Sequence, residues 1–293
     1  VAGMEESLAN SLNDLAAISQ IIPGTENAVE ELQGAIVGVG PVVDAQLANE
    51  VEAKVEEAKI LAENGEEKAA AEAVQEALSI LGTKDTVTLV ADDGPAAPGV
   101  DDGSLHTSQS ETLANEVLPN FIYRNKIYLV AYPTLYVGLG RRKPDANKAI
   151  LNSINEGTLI INWVGHGSPE LWAHENVFEK TTSIPQMRNK NYFFVTAATC
   201  DFGKYDDPTT QSSTETLMNL ANAGSILAFT AARIVYSQYN ATLNDSFYTN
   251  LFRTRDANNL PIRVGNAFFL TKQFMVDREN DEKYHLFGDP TIR

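Results

Sequence analysis

The sequence of 293 residues is poor in several features, and each shortage excludes a class of protein. A single cysteine excludes an internal disulfide framework, although it does not exclude secretion. The formal net charge of −17 argues against a nucleic-acid partner, which would need a basic face. No run of about eighteen apolar residues is present, so no membrane-spanning helix is expected. The first residues lack a basic stretch followed by an apolar one, and this predicts no signal peptide.

Aromatic residues, arginine and histidine are all missing from the first 82 residues. This segment has 16 acidic residues and 3 lysines, a net charge of −13, whereas the remainder has a net charge of only −4. All 24 Phe, Tyr and Trp residues lie in the remainder. The change in composition predicts a boundary between an acidic Ala/Glu-rich segment, residues 1–82, and a second domain, residues 83–293.

The first segment has the periodicity of amphipathic helices. Apolar residues recur at helical spacing from Pro41 to about Asn64, and again from Glu66 to Leu81 after an Asn64-Gly65 stop signal. Two earlier helices are predicted over Glu5–Ile22 and Glu26–Val37. We expect a small helical bundle or spacer, with most of its charge on solvated faces.

Beyond residue 83, short apolar runs alternate with helical segments. This pattern predicts an α/β domain with a mostly parallel sheet and helices on both faces. The predicted strands are Thr86–Ala91, Ile127–Ala131, Thr158–Val164, Tyr192–Ala198 and Ser225–Phe229. The predicted helices are Thr107–Leu118, Pro144–Glu156, Ser212–Asn222, Leu243–Phe252 and Val264–Val276.

Two reactive residues follow two of these strands directly. His166 lies in WVGHG after the third strand, and Cys200, the lone cysteine, lies in AATCD after the fourth. Ligands and catalytic groups gather at the carboxyl edge of a parallel sheet. The pair therefore indicates a thiol nucleophile with a histidine base, which needs no cofactor. The alternative is a buried structural cysteine beside a turn histidine.

Glycines flank the histidine on both sides. Gly165 and Gly167 allow a sharp turn and a close approach of a substrate carbonyl. The amides of Gly167 and Cys200 could then stabilise the oxyanion of a tetrahedral intermediate. Read alone, the triplet is equally typical of an ordinary turn.

Several longer segments carry a family resemblance. They are LIINWVGHGSPELWAHENVF, YFFVTAATCDFGKYDDP, GSILAFTAARIVYS and HLFGDPTIR, together with DTVTLVADDG, DDGSLHTSQSETLANEVLP and NKIYLVAYPT. These segments resemble the gingipain family of cysteine peptidases, of caspase-like fold. Within that family they are most similar to the PorU-type sortases of type IX secretion in Bacteroidota. The resemblance covers nearly all of residues 83–293, and residues 1–82 have no counterpart of the α/β subdomain that normally precedes it.

The resemblance implies a role for three residues: His166 as catalytic histidine, Cys200 as nucleophile and Gly167 in the oxyanion hole. It implies cleavage of the C-terminal secretion signal of type IX cargo proteins, and joining of the product to an amine of anionic lipopolysaccharide. The implied partners are those cargo proteins and other type IX components. The implied location is the outer face of the outer membrane.

Acidic residues near the first strand have three competing interpretations. Asp92, Asp93, Asp101 and Asp102 bracket a Gly/Pro-rich loop that could hold a structural calcium ion or simply be a solvated turn. Alternatively, Asp92 or Asp93 could orient His166 through its second ring nitrogen, and Glu170 is another candidate for that role.

Three residues are candidates for binding substrate. Arg233, after the last predicted strand, could bind a carboxylate or form a surface ion pair. Trp172 could line a pocket or pack in the core, and Glu170 lies in the loop after His166.

His174-Glu175 lacks the second histidine of a zinc helix. A non-catalytic acidic scaffold that retains the fold is the rival to the peptidase hypothesis.

Overall fold

The computed structural model describes residues 45–94, 102–120, 122–138, 140–274 and 278–293, with scattered positions between 11 and 33. The chain divides into two compact units. One comprises residues 1–86 and 120–123, and the other comprises residues 87–119 and 124–293.

The first unit contains two long helices, α1 (Ala45–Glu63) and α2 (Glu67–Asp85). Small apolar side chains form their buried faces, which explains why residues 1–82 need no aromatic residue: Val51, Val55, Ala58, Ala62, Ala70, Val74 and Ala77 are all buried. Gly65, at the predicted stop, has a φ of 79° that ends the first helix. The predicted boundary after residue 82 falls within α2. The predicted helices Glu5–Ile22 and Glu26–Val37 lie largely outside the described residues.

The second unit is built on a six-stranded sheet with the order β10-β9-β8-β5-β1-β2. Its strands are β1 (Thr86–Ala91), β2 (Tyr123–Tyr128), β5 (Ile160–Val164), β8 (Phe193–Ala198), β9 (Ser225–Ala231) and β10 (Tyr284–Gly288). Strands β1, β5, β8 and β9 are parallel, whereas β10 runs antiparallel to β9. The prediction of a mostly parallel α/β sheet is confirmed.

Two small hairpins lie outside this sheet. They are β3 (Leu135–Val137) with β4 (Gly140–Arg142), and β6 (Leu171–Trp172) with β7 (Phe178–Glu179). The helices of the unit are α3 (Gly103–Thr112), α4 (Pro144–Glu156), α5 (Ser213–Met218), α6 (Ser237–Arg253), α7 (Val264–Phe274) and α8 (Arg278–Asp281). A π-helical turn, Leu113–Val117, follows α3 directly.

The predicted strand Ile127–Ala131 is the clearest error in the fold. The observed strand ends at Tyr128, and Leu129–Ala131 form a 3₁₀ turn. The apolar run predicted a buried strand, but only Leu129 is buried at this point and Val130 is 67 % exposed. Strand β10 was missed because its five residues, YHLFG, contain neither a long apolar run nor a regular alternation.

The central strands are buried along their length, so the sheet is covered on both faces. On one face Trp163 and Trp172 stack in parallel, with their ring centroids 5.3 Å apart. Both tryptophans belong to the main hydrophobic core. Among the described helices, none combines the length and apolar character needed to cross a membrane.

Candidate active site

The parallel strands bring the predicted residues to one edge of the sheet. Asp92 follows β1, His166 lies two residues after β5, and Cys200 lies two residues after β8. Strands β5 and β8 are direct neighbours, and the Gly165 amide donates to the Ala198 carbonyl across their ends at 3.4 Å. Local strand patterns were therefore sufficient to predict that the histidine and the cysteine share a rim.

His166 is held from several directions. Its Nε2 lies 2.7 Å from Oδ2 of Asp102, and its backbone amide donates to Oδ2 of Asp92 at 2.9 Å. Its carbonyl accepts hydrogen bonds from Nε1 of Trp163 at 3.2 Å and from the Ala173 amide at 3.0 Å. Backbone and ring are thus both fixed, while about a third of the side chain stays open to solvent.

The carboxylate that contacts the imidazole of His166 is that of Asp102. The sequence had predicted Asp92, Asp93 or Glu170 for this role. Asp92 binds the backbone amide of His166 instead of its ring. Asp93 pairs with Lys143 at 2.9 Å, and Glu170 pairs with Lys180 at 2.8 Å. One feature of the sequence could have pointed to Asp102. It stands one helical turn before His106, at the start of a helix.

The charge on Asp102 is stabilised by this contact. Burial alone would raise the pKa of its carboxyl, but the hydrogen bond and positive charge of His166 outweigh that and lower the pKa below its ordinary value. Asp102 is therefore ionised at neutral pH. An ionised carboxylate only accepts hydrogen bonds, so it favours the tautomer of His166 with its proton on Nε2.

A second histidine completes this cluster. His106 is 3 % exposed, and its ring meets that of His166 edge to face with centroids 5.4 Å apart. Its Nε2 lies 3.8 Å from Oδ2 of Asp102. Burial lowers the pKa of His106, partly opposed by the charges of Asp92 and Asp102, so the ring is neutral at pH 7.

Both predicted glycines are required by close approach. A Cβ on Gly165 would lie 2.4 Å from Cβ of Asp92, and a Cβ on Gly167 would lie 2.6 Å from Oγ1 of Thr199. The loop of His166 therefore packs directly on the residue before Cys200. Gly167 and Trp172 also form an isolated antiparallel bridge. Its hydrogen bonds are donated by the amides of Ser168 and Ala173, so the Gly167 amide takes no part in it.

Cys200 has a different environment, supplied by backbone. Its Sγ accepts from the Val235 amide at 3.4 Å and lies 3.6 Å from the Val235 carbonyl. Burial raises the pKa of the Cys200 thiol, and Asp201 adds to the rise, whereas the Val235 hydrogen bond and Lys283 act in the opposite direction. The thiol is thus protonated at neutral pH and needs a base. Asp201, the next residue, has a φ of 56°, which turns the chain away from the strand axis.

The three predicted substrate-binding residues have other contacts in this structure. The guanidinium of Arg233 forms an ion pair with Asp206 and is about half exposed. Trp172 is 1 % exposed, so the core alternative describes its position and it forms no pocket wall. Glu170 is engaged by Lys180 at the surface.

The predicted calcium ligands belong to a second cluster. Carboxylate oxygens of Asp92, Asp93 and Glu175 lie within 4.8 Å of one another. Lys143 pairs with Asp93 at 2.9 Å, and Arg141 pairs with Glu175 at 2.8 Å. These cations compensate most of the negative charge that a calcium ion would need, so the arrangement is that of a buried ion-pair network. Asp102 is absent from this set, and Asp101 lies outside the described residues.

A mostly parallel sheet whose carboxyl edge carries a carboxylate-bound histidine and a lone cysteine is the arrangement of a cysteine-peptidase domain. The sequence profile of peptidase family C25 matches residues 57–293. The chain therefore belongs to peptidase family C25, the gingipain family of cysteine peptidases. The resemblance of its sequence motifs to the gingipain family is confirmed.

Solved structures agree on the fold. The Arg-specific cysteine proteinase gingipain R is 20 % identical with a TM-score of 0.54, and the match covers 72 % of this chain and 48 % of that one. The complex of Porphyromonas gingivalis RgpB pro- and mature domains is 17 % identical with a TM-score of 0.54, covering 76 % and 54 %. This chain thus spans about half the length of the solved proteins it matches. No curated protein matches it by sequence.

Proposed function

We propose that the chain is a cysteine endopeptidase or transpeptidase in which Cys200 is the nucleophile and His166 the base. The observation that carries the proposal is the pairing of His166 with Asp102 at the rim that also presents Cys200, in a chain of family C25. Asp102 is a positioning residue that fixes the ring and its tautomer.

The first step is transfer of the Cys200 proton to His166. With the Nε2 proton directed to Asp102, Nδ1 is the nitrogen with a free lone pair, and it takes the proton from Sγ. The resulting imidazolium is stabilised by the ionised carboxylate. Because the thiol pKa is raised by burial, this transfer accompanies attack on the substrate and does not precede it.

Acylation then follows the usual course of a thiol peptidase. Sγ bonds to the scissile carbonyl carbon, and the oxyanion receives hydrogen bonds from the amides of Gly167 and Cys200. The C–N bond breaks, His166 returns its proton to the departing amine, and a thioester remains on Cys200. Water releases a free carboxylate in a hydrolase, whereas an amine forms a new amide bond in a transpeptidase.

We assign the sortase-like outcome. Its basis is the resemblance of the segments around His166 and Cys200 to the PorU-type group. The substrates would be type IX cargo proteins carrying a C-terminal secretion signal, and the acceptor an amine of anionic lipopolysaccharide. The enzyme would then act with other type IX components at the outer face of the outer membrane.

Substrate binding is assigned to the segment after β9. Ile234 and Tyr236 are 68 % and 50 % exposed and flank Val235, whose backbone contacts Cys200. Arg233 precedes them, and an incoming substrate carboxylate could replace Asp206 as its partner. Together these side chains form a mixed apolar and basic surface beside the thiol.

The decisive experiment compares Cys200→Ala and His166→Ala with the unchanged chain on a peptide carrying a type IX C-terminal signal. Both variants should lose cleavage while keeping their circular dichroism spectra and melting temperatures. His174→Ala is the matched control, because His174 lies beside His166, with ring centroids 5.6 Å apart, and is exposed. Retained cleavage by Cys200→Ala would overturn the proposal.

Mass spectrometry of the product separates hydrolysis from transpeptidation. The new carboxyl end is measured with and without an added amine. A mass increase equal to the amine minus water supports the sortase assignment, whereas a free carboxylate under both conditions supports a hydrolase.

A non-catalytic scaffold is the second candidate. It is favoured by one observation: the thiol is partly buried, hydrogen-bonded to backbone and raised in pKa. Thiol-reactive peptide probes at neutral pH discriminate, since a catalytic Cys200 should be modified with dependence on His166 and an inert thiol should stay unmodified.

A further inference from the structure

Three side chains with metal-ligating atoms meet beside the rim. Asp102 occupies the N-cap position of α3, and His106 follows it by one turn, so their side chains lie on the same side of the helix. His166 reaches them from the loop after β5. One Oδ atom of Asp102 and one nitrogen of each histidine lie within 4.8 Å of one another.

His106 supplies a second, independent indication. Its side chain is 4 % exposed, yet neither ring nitrogen makes a hydrogen bond of normal geometry with a described residue. Gln109 has the smallest of the named influences on the pKa of His106, and the Gln109 side chain is hydrogen-bonded to Ser237. An unsatisfied buried polar group costs about 1–3 kcal/mol. A ligand for Nε2 would reduce that cost, and Asp102 Oδ2 lies 3.8 Å from this nitrogen.

We propose that Asp102, His106 and His166 form a binding site for a divalent transition metal ion, with Zn²⁺ the best fit. Two imidazoles and one carboxylate are a common zinc ligand set that leaves a fourth position for water. Among the described residues this cluster contains no lysine or arginine ion pair, in contrast to the Asp92–Asp93–Glu175 cluster.

The two separations that involve Asp102 require only small movements. Zinc ligands at about 2.0–2.1 Å from the metal lie about 3.4 Å from one another in a tetrahedron. His106 Nε2 is 3.8 Å from Asp102 Oδ2, and His166 Nε2 is 2.7 Å from the same oxygen. One separation shortens and the other lengthens, each by less than 1 Å.

Metal binding would switch off the base. Zinc on Nε2 of His166 leaves the ring proton on Nδ1, so that nitrogen no longer has a lone pair for the Cys200 proton. Metal binding at this site would therefore inhibit cleavage, and a chelator would reverse the inhibition. This consequence rests on the proposed function, whereas metal binding itself does not.

The binding test uses the full chain with Cys200→Ala, which removes the thiol as an alternative ligand. Zn²⁺ binding is followed by calorimetry and Co²⁺ binding by its visible absorption. We expect one site, at least about tenfold weaker in Cys200→Ala/His106→Phe, since loss of a direct ligand should cost no less than loss of an outer-shell partner. Cys200→Ala/His174→Phe is the matched control and should bind as tightly as its parent.

Two results would overturn the site. One is equal Zn²⁺ affinity with and without His106, and the other is loss of binding in the His174 variant alone. Cys200→Ala/Asp102→Asn preserves side-chain shape and should also bind at least about tenfold more weakly. Melting temperatures report whether His106→Phe perturbs folding. If it does, the Asp102→Asn variant still tests the site.

The inhibition test uses the chain with Cys200 intact. Zn²⁺ should inhibit cleavage, a chelator should restore it, and His106→Phe should raise the inhibitory concentration at least about tenfold relative to its own metal-free activity. Unchanged inhibition would place the inhibiting metal on Cys200 and overturn the regulatory part. Absence of any cleavage would reject the proposed function while leaving the calorimetric result intact.

Discussion

The histidine side and the cysteine side of the rim are organised differently. His166 is fixed through its ring, amide and carbonyl by Asp102, Asp92 and Trp163. Cys200 contacts mainly the backbone of Val235, and burial raises its pKa. The imidazole is thus oriented in advance, whereas the thiol is kept protonated. In the proposed mechanism this difference means that the thiol is activated only when substrate is bound.

The largest effect should come from breaking the histidine side. In Asp102→Asn an amide NH₂ facing Nε2 would favour the opposite tautomer, with the proton on Nδ1, and the turnover number should fall roughly 10²- to 10⁴-fold. The measurement is kcat for cleavage across pH 5–9. Asp93→Asn, which changes a neighbouring carboxylate with no contact to the ring, is the control. An unchanged kcat in Asp102→Asn would show that the orientation of His166 is not limiting.

Gly167→Ala tests the contact between the two sides. The added methyl would meet Thr199 Oγ1 at 2.6 Å, so the free energy of unfolding should fall by about 1–3 kcal/mol. Thr199→Ala removes the opposing atoms and should recover part of that loss in the double variant. Denaturant unfolding of the four proteins in this cycle measures the coupling. Purely additive losses would mean that the two loops relax independently.

Asp245→Asn tests the opposite case to Asp102, a part-buried carboxyl whose pKa is raised because no cation offsets its burial. Burial and the charge of Glu116 raise the pKa of Asp245 from 3.8 to about 6. A raised carboxyl pKa destabilises the fold as pH rises from about 4 to 6. Asp245→Asn should therefore stabilise the protein by about 1–2 kcal/mol at pH 7, allowing for partial exposure, and by nothing below pH 4. Thermal unfolding at pH 4 and pH 7 measures this, and equal shifts would contradict it.

The smallest effect is expected on the cysteine side. Asp201 raises the pKa of Cys200, and asparagine tolerates the positive φ at this position. Asp201→Asn should move the pH profile of iodoacetamide alkylation downward by a few tenths of a unit. Asp207→Asn changes a partly exposed acid further along the same loop and should leave the profile unchanged. A profile equal to that of the parent would mean that Asp201 does not act on the thiol.

Much of the fold was predictable because parallel strands have local signatures. The run TVTLVA gave β1 with its observed ends, and Pro144 and Gly157 marked both ends of α4. The edge of the sheet was less predictable. Pairing of β10 with β9 depends on partners more than 50 residues apart, and Val130 is exposed within an apolar run. Periodicity describes burial on average, and edge positions depart from that average.

The sequence by itself determined the acidic, aromatic-free helices, the parallel α/β core and the positions of His166 and Cys200 after neighbouring strands. Composition and strand patterns are local properties, and parallel pairing then places the strand ends together. Tertiary structure alone decided which carboxylate meets the imidazole. Asp102 and His166 are 64 residues apart and meet only through the packing of α3 on the sheet edge. The same packing buried Trp172 and gave Asp93 and Glu175 their cationic partners, because long-range contacts depend on how elements dock and not on any local pattern.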